Sequence, residues 1–202
     1  WAMRLAALFV ITGLLLTVSP AHAASLLVEA ESFADTGGWV TDTQCMDAMG
    51  SPYLLAHGMG SPVTDAATTV RLPRAGGYRV WVRTRDWTRA AGAKESAGVF
   101  TVMVNGNKLP VMFGAQNTEW GWQDGNIFDT TTPEIKVALH DETGFDGRCD
   151  ALYFTTDFSE VPPNDNSPDS VWRKTARGTG LKAVEAGQFD FVVVGGGMAG
   201  TC

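Results

Sequence analysis

The chain has 202 residues, and its 22 acidic and 15 basic side chains give a net charge of −7 at neutral pH. An acidic chain without clusters of Lys or Arg argues against nucleic acid and anionic membranes as partners. The chain has only three His and three Cys, without a CxxC pair or an HExxH motif, which argues against a zinc site and a Ser-His-Asp hydrolase site.

The chain begins with a pattern typical of a secretory signal peptide, which we assign to residues 1–23. Met3-Arg4 gives a positive start, an apolar run follows from Leu5 to Val18, and small residues lead to Ala23, where we expect cleavage. The run is shorter than the roughly 20 residues that a membrane-spanning helix needs, which argues against a membrane anchor. The mature chain is therefore expected to be secreted or periplasmic, with no membrane contact after cleavage.

Residues 24–158 are predicted to form one all-β domain, an antiparallel β-sandwich, because short alternating apolar runs are separated by turn residues. The clearest strand runs from Tyr78 to Thr84, where apolar and charged side chains alternate, and Trp81 within it is expected in the core. Asn105-Gly106 predicts a tight hairpin turn after the strand Val99–Val104. The other predicted strands are Leu26–Val28, Thr68–Leu72, Ile135–Leu139 and Ala151–Thr155.

The composition changes after residue 158, and we assign residues 159–188 to an exposed linker because Pro162-Pro163 is followed by a polar run. Residues 189–202 then begin with a continuous apolar stretch, typical of a parallel strand that is covered on both faces. We expect these last residues to be the truncated first strand of a Rossmann-type α/β domain.

Gly195, Gly197 and Gly200 follow that strand and fit the G-x-G-x-x-G pattern. In this pattern the glycines let a pyrophosphate approach the backbone at the N-terminus of a helix. The helix and the acidic ribose ligand that complete such a site would lie beyond residue 202. A glycine-rich loop without a ligand is the alternative interpretation.

Four segments carry a resemblance to a known family: MGSPYLLAH, VWVRTRDW, HDETGFDGRCDALYF and DFVVVGGGMAG. They resemble the N-terminal part of a secreted bacterial FAD-dependent oxidoreductase family that has a jelly-roll domain before its flavin domain. Some members bear a xanthan lyase label, although nothing in this sequence resembles a lyase site. The resemblance implies that FAD is held by the glycine motif of a longer parent protein acting on a sugar or glycoside. The fragment itself is expected to hold no FAD and to contain no catalytic residue.

The sandwich is also similar to carbohydrate-binding modules of families 6 and 35, at Val28–Ser32, Gly77–Arg83 and Cys149–Phe154. In those modules, two glutamates of the first strand and an acidic residue that opens the last strand hold a structural calcium ion. Glu29, Glu31 and Asp150 stand at the matching positions, and carboxylate oxygens are ligands that Ca²⁺ prefers. Three carboxylates alone do not complete a calcium shell, so surface glutamates remain the alternative.

The same resemblance places a sugar-binding aromatic platform at Trp120 and Trp122, with Trp87 and Tyr53 as further candidates. A platform needs an exposed flat ring. The alternative is that one or both tryptophans belong to the core, since Gly121 between them would put them on the same side of a shared strand.

Three functions follow from these observations. The chain could be the accessory domain of an exported flavin oxidoreductase, packed against its own downstream flavin domain. It could instead be a polysaccharide-binding module attached to a carbohydrate-active enzyme, or a purely structural domain. Cys45 and Cys149 could form a disulfide in an oxidising compartment or remain unpaired.

Overall fold

The computed structural model describes residues 23–164, 171–177 and 188. Within them the chain folds into an antiparallel β-sandwich of the jelly-roll kind, as the sequence predicted. Nearly all of the predicted signal peptide, and the predicted nucleotide-binding strand with its glycine motif, lie outside the described residues. None of the helices described is both long and apolar enough to cross a membrane.

The described residues contain ten strands and a few short helical elements. The strands are β1 (Ser25–Glu29), β2 (Val40–Asp42), β3 (Tyr53–His57), β4 (Ala66–Arg71), β5 (Gly76–Thr84), β6 (Phe100–Val104), β7 (Asn107–Phe113), β8 (Gly121–Thr130), β9 (Glu134–Asp141) and β10 (Phe145–Thr155). The helical elements are a 3-10 turn (Ala30–Ser32), α1 (Met46–Met49), α2 (Trp87–Ala90) and α3 (Val171–Ala176).

The strands form two sheets that face each other. One sheet has the order β2-β3-β10-β5-β8, with β1 also paired to β10, and the other has the order β4-β9-β6-β7. The pairing of β1 with β10 sets Leu27 opposite Tyr153 and Glu29 opposite Ala151. The first and last strands of the domain are therefore neighbours, which brings acidic side chains from both ends of the domain to one place.

Strand β5 shows how the alternation of its sequence divides its side chains between two clusters. Tyr78, Val80 and Val82 are buried between the sheets. Trp81 is buried as well, but in a second cluster on the outer face of the six-stranded sheet, with Tyr153 among its neighbours. Trp81 is thus a core residue, as predicted, but α3 rather than the second sheet completes its cluster.

The strands predicted within residues 24–158 are all present, and the hairpin turn is confirmed. Asn105 and Gly106 both have positive φ, at 51° and 80°, as a tight turn of the Asn-Gly kind requires. Strands β2, β3, β7 and β8 were not predicted. The burial pattern explains one of these omissions, because β3 is buried at four consecutive positions and so lacks alternation.

The described parts of the predicted linker contact the sandwich. Glu160 accepts hydrogen bonds from the hydroxyls of Tyr153 (2.9 Å) and Thr155 (2.7 Å). Further on, α3 contributes Ala176 and the ring of Trp172 to the cluster that contains Trp81. These described residues of the predicted linker therefore pack against the sandwich.

The two cysteines of the described domain are free thiols. Cys149 lies in the core between the sheets, where burial raises its pKa well above the ordinary value. Cys45 is half-buried beside the small cluster of Tyr53, Leu55 and Trp120. Of the two alternatives left by the sequence, the structure shows the unpaired one.

Candidate functional site

One end of the six-stranded sheet carries the loops that form the candidate site. His57 at the end of β3 pairs with Phe145 at the start of β10. Thr84 at the end of β5 pairs with Gly121 at the start of β8. The loops after β3 and β5 and before β8 and β10 therefore emerge from the same end, which we call the loop end.

The loop end contains a cleft of about 390 Å³, which we call the polar cleft. Its lining side chains are mostly exposed and carry guanidinium, amide, hydroxyl and carboxylate groups. They belong to Arg89, Gln116, Asn117, Thr118, Glu119, Trp120, Gly121 and Asn164. Asn164 is tied to the cleft by its side-chain amide, which donates to the backbone oxygen of Trp120 at 2.9 Å.

Asp86 forms hydrogen bonds with residues in and around the polar cleft. Its carboxylate is fully buried and accepts hydrogen bonds from the backbone N–H of Arg89 (3.1 Å) and the hydroxyl of Thr88 (3.0 Å). It also accepts one from the hydroxyl of Ser96, while its own N–H donates to the backbone oxygen of Asn117 at 2.5 Å. Burial alone would raise the pKa of Asp86, but these hydrogen bonds outweigh it and hold the pKa below the ordinary value.

The two predicted sugar-binding tryptophans lie in different clusters. Strand β8 begins only at Gly121, so Trp120 lies outside the strand that contains Trp122. Trp120 is 4% exposed and packs edge-on against Tyr53, with ring centroids 5.0 Å apart. A ring buried this far offers no face to a sugar, so the platform expected at Trp120 does not fit the structure.

Trp122 is half-buried and already has aromatic neighbours. Its ring lies 6.0 Å from that of Trp172 and 6.4 Å from that of Tyr153, between centroids. Its indole N–H donates to the backbone oxygen of Pro163 at 3.1 Å. Trp122 therefore serves to dock the segment that follows the sandwich.

The two further aromatic candidates are also engaged. Tyr53 is completely buried. The guanidinium of Arg148 covers the ring of Trp87, 4.8 Å from its centroid. The indole N–H of Trp87 donates to the backbone oxygen of Phe145 at 2.9 Å.

An exposed aromatic ring does exist at the loop end, at a position that sequence reasoning missed. Phe145 is 48% exposed and lines a depression of about 310 Å³ with His57, Met59, Gly144 and Asp146. Nδ1 of His57 lies 2.7 Å from a carboxylate oxygen of Asp146. The sequence offered one weak signal, an aromatic residue directly after a glycine at the start of the last strand.

The three predicted metal-ligating carboxylates come together on the sandwich. One oxygen from each of Glu29, Glu31 and Asp150 lies within 4.8 Å of the others, a group we call the carboxylate cluster. Glu31 belongs to the 3-10 turn after β1, so its carboxylate reaches the cluster from a turn rather than from the strand. Burial, followed by the charge of Glu29, raises the pKa of Glu31 to about 7.

Arginine side chains already neutralise this cluster. Arg173 of α3 donates from Nε to Glu29 at 3.0 Å and from Nη2 to both oxygens of Asp150, at 2.9 and 3.0 Å. Arg83 donates to Asp150 at 2.9 Å from the other side, and Arg177 adds an ion pair to Glu29. Desolvation alone would lower the pKa of Arg173, but its bonds to Glu29 and the charge of Asp150 raise it.

These carboxylates suit Ca²⁺ by their chemistry, but their arrangement does not fit a calcium ion. The guanidinium of Arg173 already lies between Glu29 and Asp150, within hydrogen-bonding distance of both. A calcium ion needs six to eight oxygen ligands at about 2.3–2.6 Å, so it could not share that space with a guanidinium group. The expected calcium ion would require α3 to leave.

Comparisons with known proteins support a fold for this chain but assign it to no family. No protein-family model matches the chain, and no curated protein matches its sequence. Among solved structures, the GH26-CBM35 β-(1,4)-mannanase of Podospora anserina has a TM-score of 0.51 and 15% identity, over 69% of this chain and 29% of that chain. A family 35 carbohydrate-binding module from Clostridium thermocellum has a TM-score of 0.50 and 18% identity, over 65% of this chain and 97% of that chain.

The chain thus spans less than a third of the mannanase and nearly all of the separate binding module. At these identities the likeness is one of fold. It supports the predicted jelly roll of the carbohydrate-binding-module kind.

Proposed function

We propose that this chain is a polysaccharide-binding module that holds its ligand at the loop end of the sandwich. The observation that carries the proposal is the polar cleft, whose side chains offer hydrogen-bond donors and acceptors in a concave, exposed surface. Sugar hydroxyls are recognised by a few convergent polar groups of this type. The likeness in fold to a separate carbohydrate-binding module supports the same function.

Phe145 supplies the aromatic face that sugar binding commonly uses. Its ring is exposed at the same end as the polar cleft. Helix α2 joins the two places, since Arg89 lines the cleft and the indole of Trp87 donates to the backbone oxygen of Phe145. We propose that a chain of several sugar units crosses α2 and contacts both.

Affinity electrophoresis on a glycan panel tests this function. The panel includes β-1,4-mannan, because the mannanase with a similar fold acts on that linkage, together with other neutral glycans and glycans rich in uronic acid. Asn117→Ala and Phe145→Ala should each weaken retention about 10-fold, which is the loss of roughly 1.4 kcal/mol. The matched control is Asn107→Ala, which removes an exposed amide at the hairpin on the opposite end of the sandwich. Absence of retention on every glycan, or equal retention of all variants, would refute the proposal.

The proposed module belongs to a longer exported protein, for which the flavin oxidoreductase is our candidate. This proposal rests on the glycine motif Gly195, Gly197 and Gly200 and on the resemblance described above. A protein extended through the following domain should purify yellow and release flavin on denaturation. In that protein, Gly197→Val should abolish flavin binding, because a side chain there would block the approach of the pyrophosphate. A folded, colourless extended protein that ignores added FAD would refute it.

A structural role is the second candidate, and one observation favours it. The segment after the sandwich is docked by Trp122 and Trp172 and by buried ion pairs. A domain that binds no glycan but keeps this docked segment would act as a spacer for whatever follows. The glycan panel separates the two functions.

A further inference from the structure

The carboxylate cluster is the most highly charged buried place in the described chain. Four of its charged side chains are buried, namely those of Glu29, Asp150, Arg83 and Arg173. Of these, Arg173 is only 5% exposed. Charges in such surroundings are stable only when they are paired and hydrogen-bonded. The requirement is met for Glu29 and Asp150, because three guanidinium groups face these two carboxylates. One oxygen of Glu31, by contrast, is buried without a hydrogen-bond partner.

Arg173 is the central member of this arrangement. It bonds to Glu29 at the end of β1 and to Asp150 in β10, so one side chain joins the first and last strands. Arg83 reaches Asp150 from β5. Of the three arginines at the cluster, Arg173 comes from the segment that follows the sandwich and bonds to both strands, which is the geometry that a bridging cation would have.

Apolar packing holds α3 over the cluster. The ring of Trp172 meets that of Tyr153 edge-on, with centroids 5.0 Å apart. Ala176 is buried beside Leu27 and Ala151 in the same outer cluster. The docking therefore combines ion pairs with burial of apolar surface, each of which stabilises the other by excluding water.

We infer that Arg173 takes the place of a metal ion in this module, so that its first and last strands are joined by a guanidinium group rather than by Ca²⁺. Docked α3 and a bound calcium ion exclude each other, and removing Arg173 of α3 together with Arg177, which follows the helix, leaves a vacant cation site of three carboxylates. The inference is independent of the glycan proposal.

The first experiment uses the mature chain, residues 24–202, without substitution. Isothermal titration with CaCl2 should show no binding, and thermal melts in Ca²⁺ and in chelator should coincide. Trypsin should cleave slowly after Arg173 and Lys174 of docked α3, at the same rate with and without Ca²⁺. Calcium binding with a rise in melting temperature, or faster cleavage within α3 in Ca²⁺, would overturn the inference.

The second experiment removes the internal cation with Arg173→Ala combined with Arg177→Ala. This variant should melt lower in chelator, and Ca²⁺ at 100-fold excess over its dissociation constant should raise the melting temperature by about 5–10 °C. Arg71→Ala removes an exposed arginine from the other sheet and should melt identically in Ca²⁺ and chelator. A folded double variant that does not respond to Ca²⁺ would overturn the inference.

Arg173→Lys covers the case in which the double variant fails to fold. A lysine keeps the charge but cannot bond to two carboxylates in the fork geometry of a guanidinium group. It should lower the melting temperature while leaving the melts in Ca²⁺ and chelator coincident. A Lys variant that melts at the same temperature as the natural chain would show that the two-carboxylate bonding of Arg173 does not join the strands, and would overturn the inference.

Discussion

Replacing Asp86 tests whether the hydrogen bonds of its carboxylate stabilise the polar cleft. Asp86→Ala removes a fully buried carboxylate that caps α2 through the N–H of Arg89 and accepts the hydroxyls of Thr88 and Ser96. Loss of the cap costs about 1 kcal/mol. The bond from Ser96 to an ionised acceptor adds about 1.5–3 kcal/mol. Thr88 can still donate to the backbone oxygen of Glu95 at 3.1 Å, so its hydroxyl adds little.

We therefore expect Asp86→Ala to lower the free energy of unfolding by about 3 kcal/mol. Asp86→Asn keeps one acceptor for the cap and can donate to Ser96, so it should cost about 1 kcal/mol. The pKa of Asp86 is lowered in the folded state, so its charge contributes stability at neutral pH. That contribution is lost as the pH falls below about 4, toward the folded-state pKa.

Urea unfolding at pH 7 and pH 3.5 measures both effects, with Asp129→Asn as the control because that carboxylate is exposed. The stability gap between the natural chain and Asp86→Asn should be larger at pH 7 than at pH 3.5. Glycan affinity of Asp86→Ala should fall as well, since Arg89 loses its bond to the carboxylate, although the backbone bond from residue 86 to Asn117 is kept. An Ala variant as stable as the natural chain, or a gap that grows in acid, would refute the reasoning.

Two further pairs of variants probe the loop end. Trp120→Ala should destabilise the fold by about 3–5 kcal/mol, whereas Phe145→Ala should change stability by less than about 1 kcal/mol; urea unfolding that gives equal losses would contradict their assigned burial. Gly144→Ala should lower the melting temperature more than Gly92→Ala. Both positions have positive φ, but a Cβ at Gly144 would lie 2.0 Å from the backbone oxygen of Ser61, while one at Gly92 would meet nothing within 4 Å. Similar melting temperatures would show that the backbone at Ser61 moves enough to accommodate the added Cβ.

The fold could be predicted from the sequence because its strands carry local signals. Alternation from Tyr78 to Thr84 and the Asn105-Gly106 turn are short-range patterns, and both correspond to the structure. Strand β8 is harder to recognise, because its Gly, Asp and Asn residues weaken strand propensity. Its position follows from pairing with β5, which includes an irregularity between Arg79 and Trp81.

The aromatic residues show where local patterns stop being informative. Whether a tryptophan is a platform or a core residue depends on what covers it, and that cover comes from distant parts of the chain. Tyr53 covers Trp120 from β3, and Trp172 covers Trp122 from α3. Phe145 pairs with His57 at the loop end, where its side chain remains 48% exposed.

For the carboxylate cluster too, one part could be predicted from the sequence and the other depends on tertiary structure. Glu29, Glu31 and Asp150 could be grouped from the sequence, by their resemblance to a known ligand set near the first and last strands. Their counter-charge could not be identified there, because Arg173 lies 23 positions beyond Asp150 and 144 beyond Glu29. The sequence by itself determined which three carboxylates could come together, and it left surface glutamates as the alternative. Only the docking of α3, driven by burial of Trp172 and Ala176, decided that the cation is an arginine of the same chain.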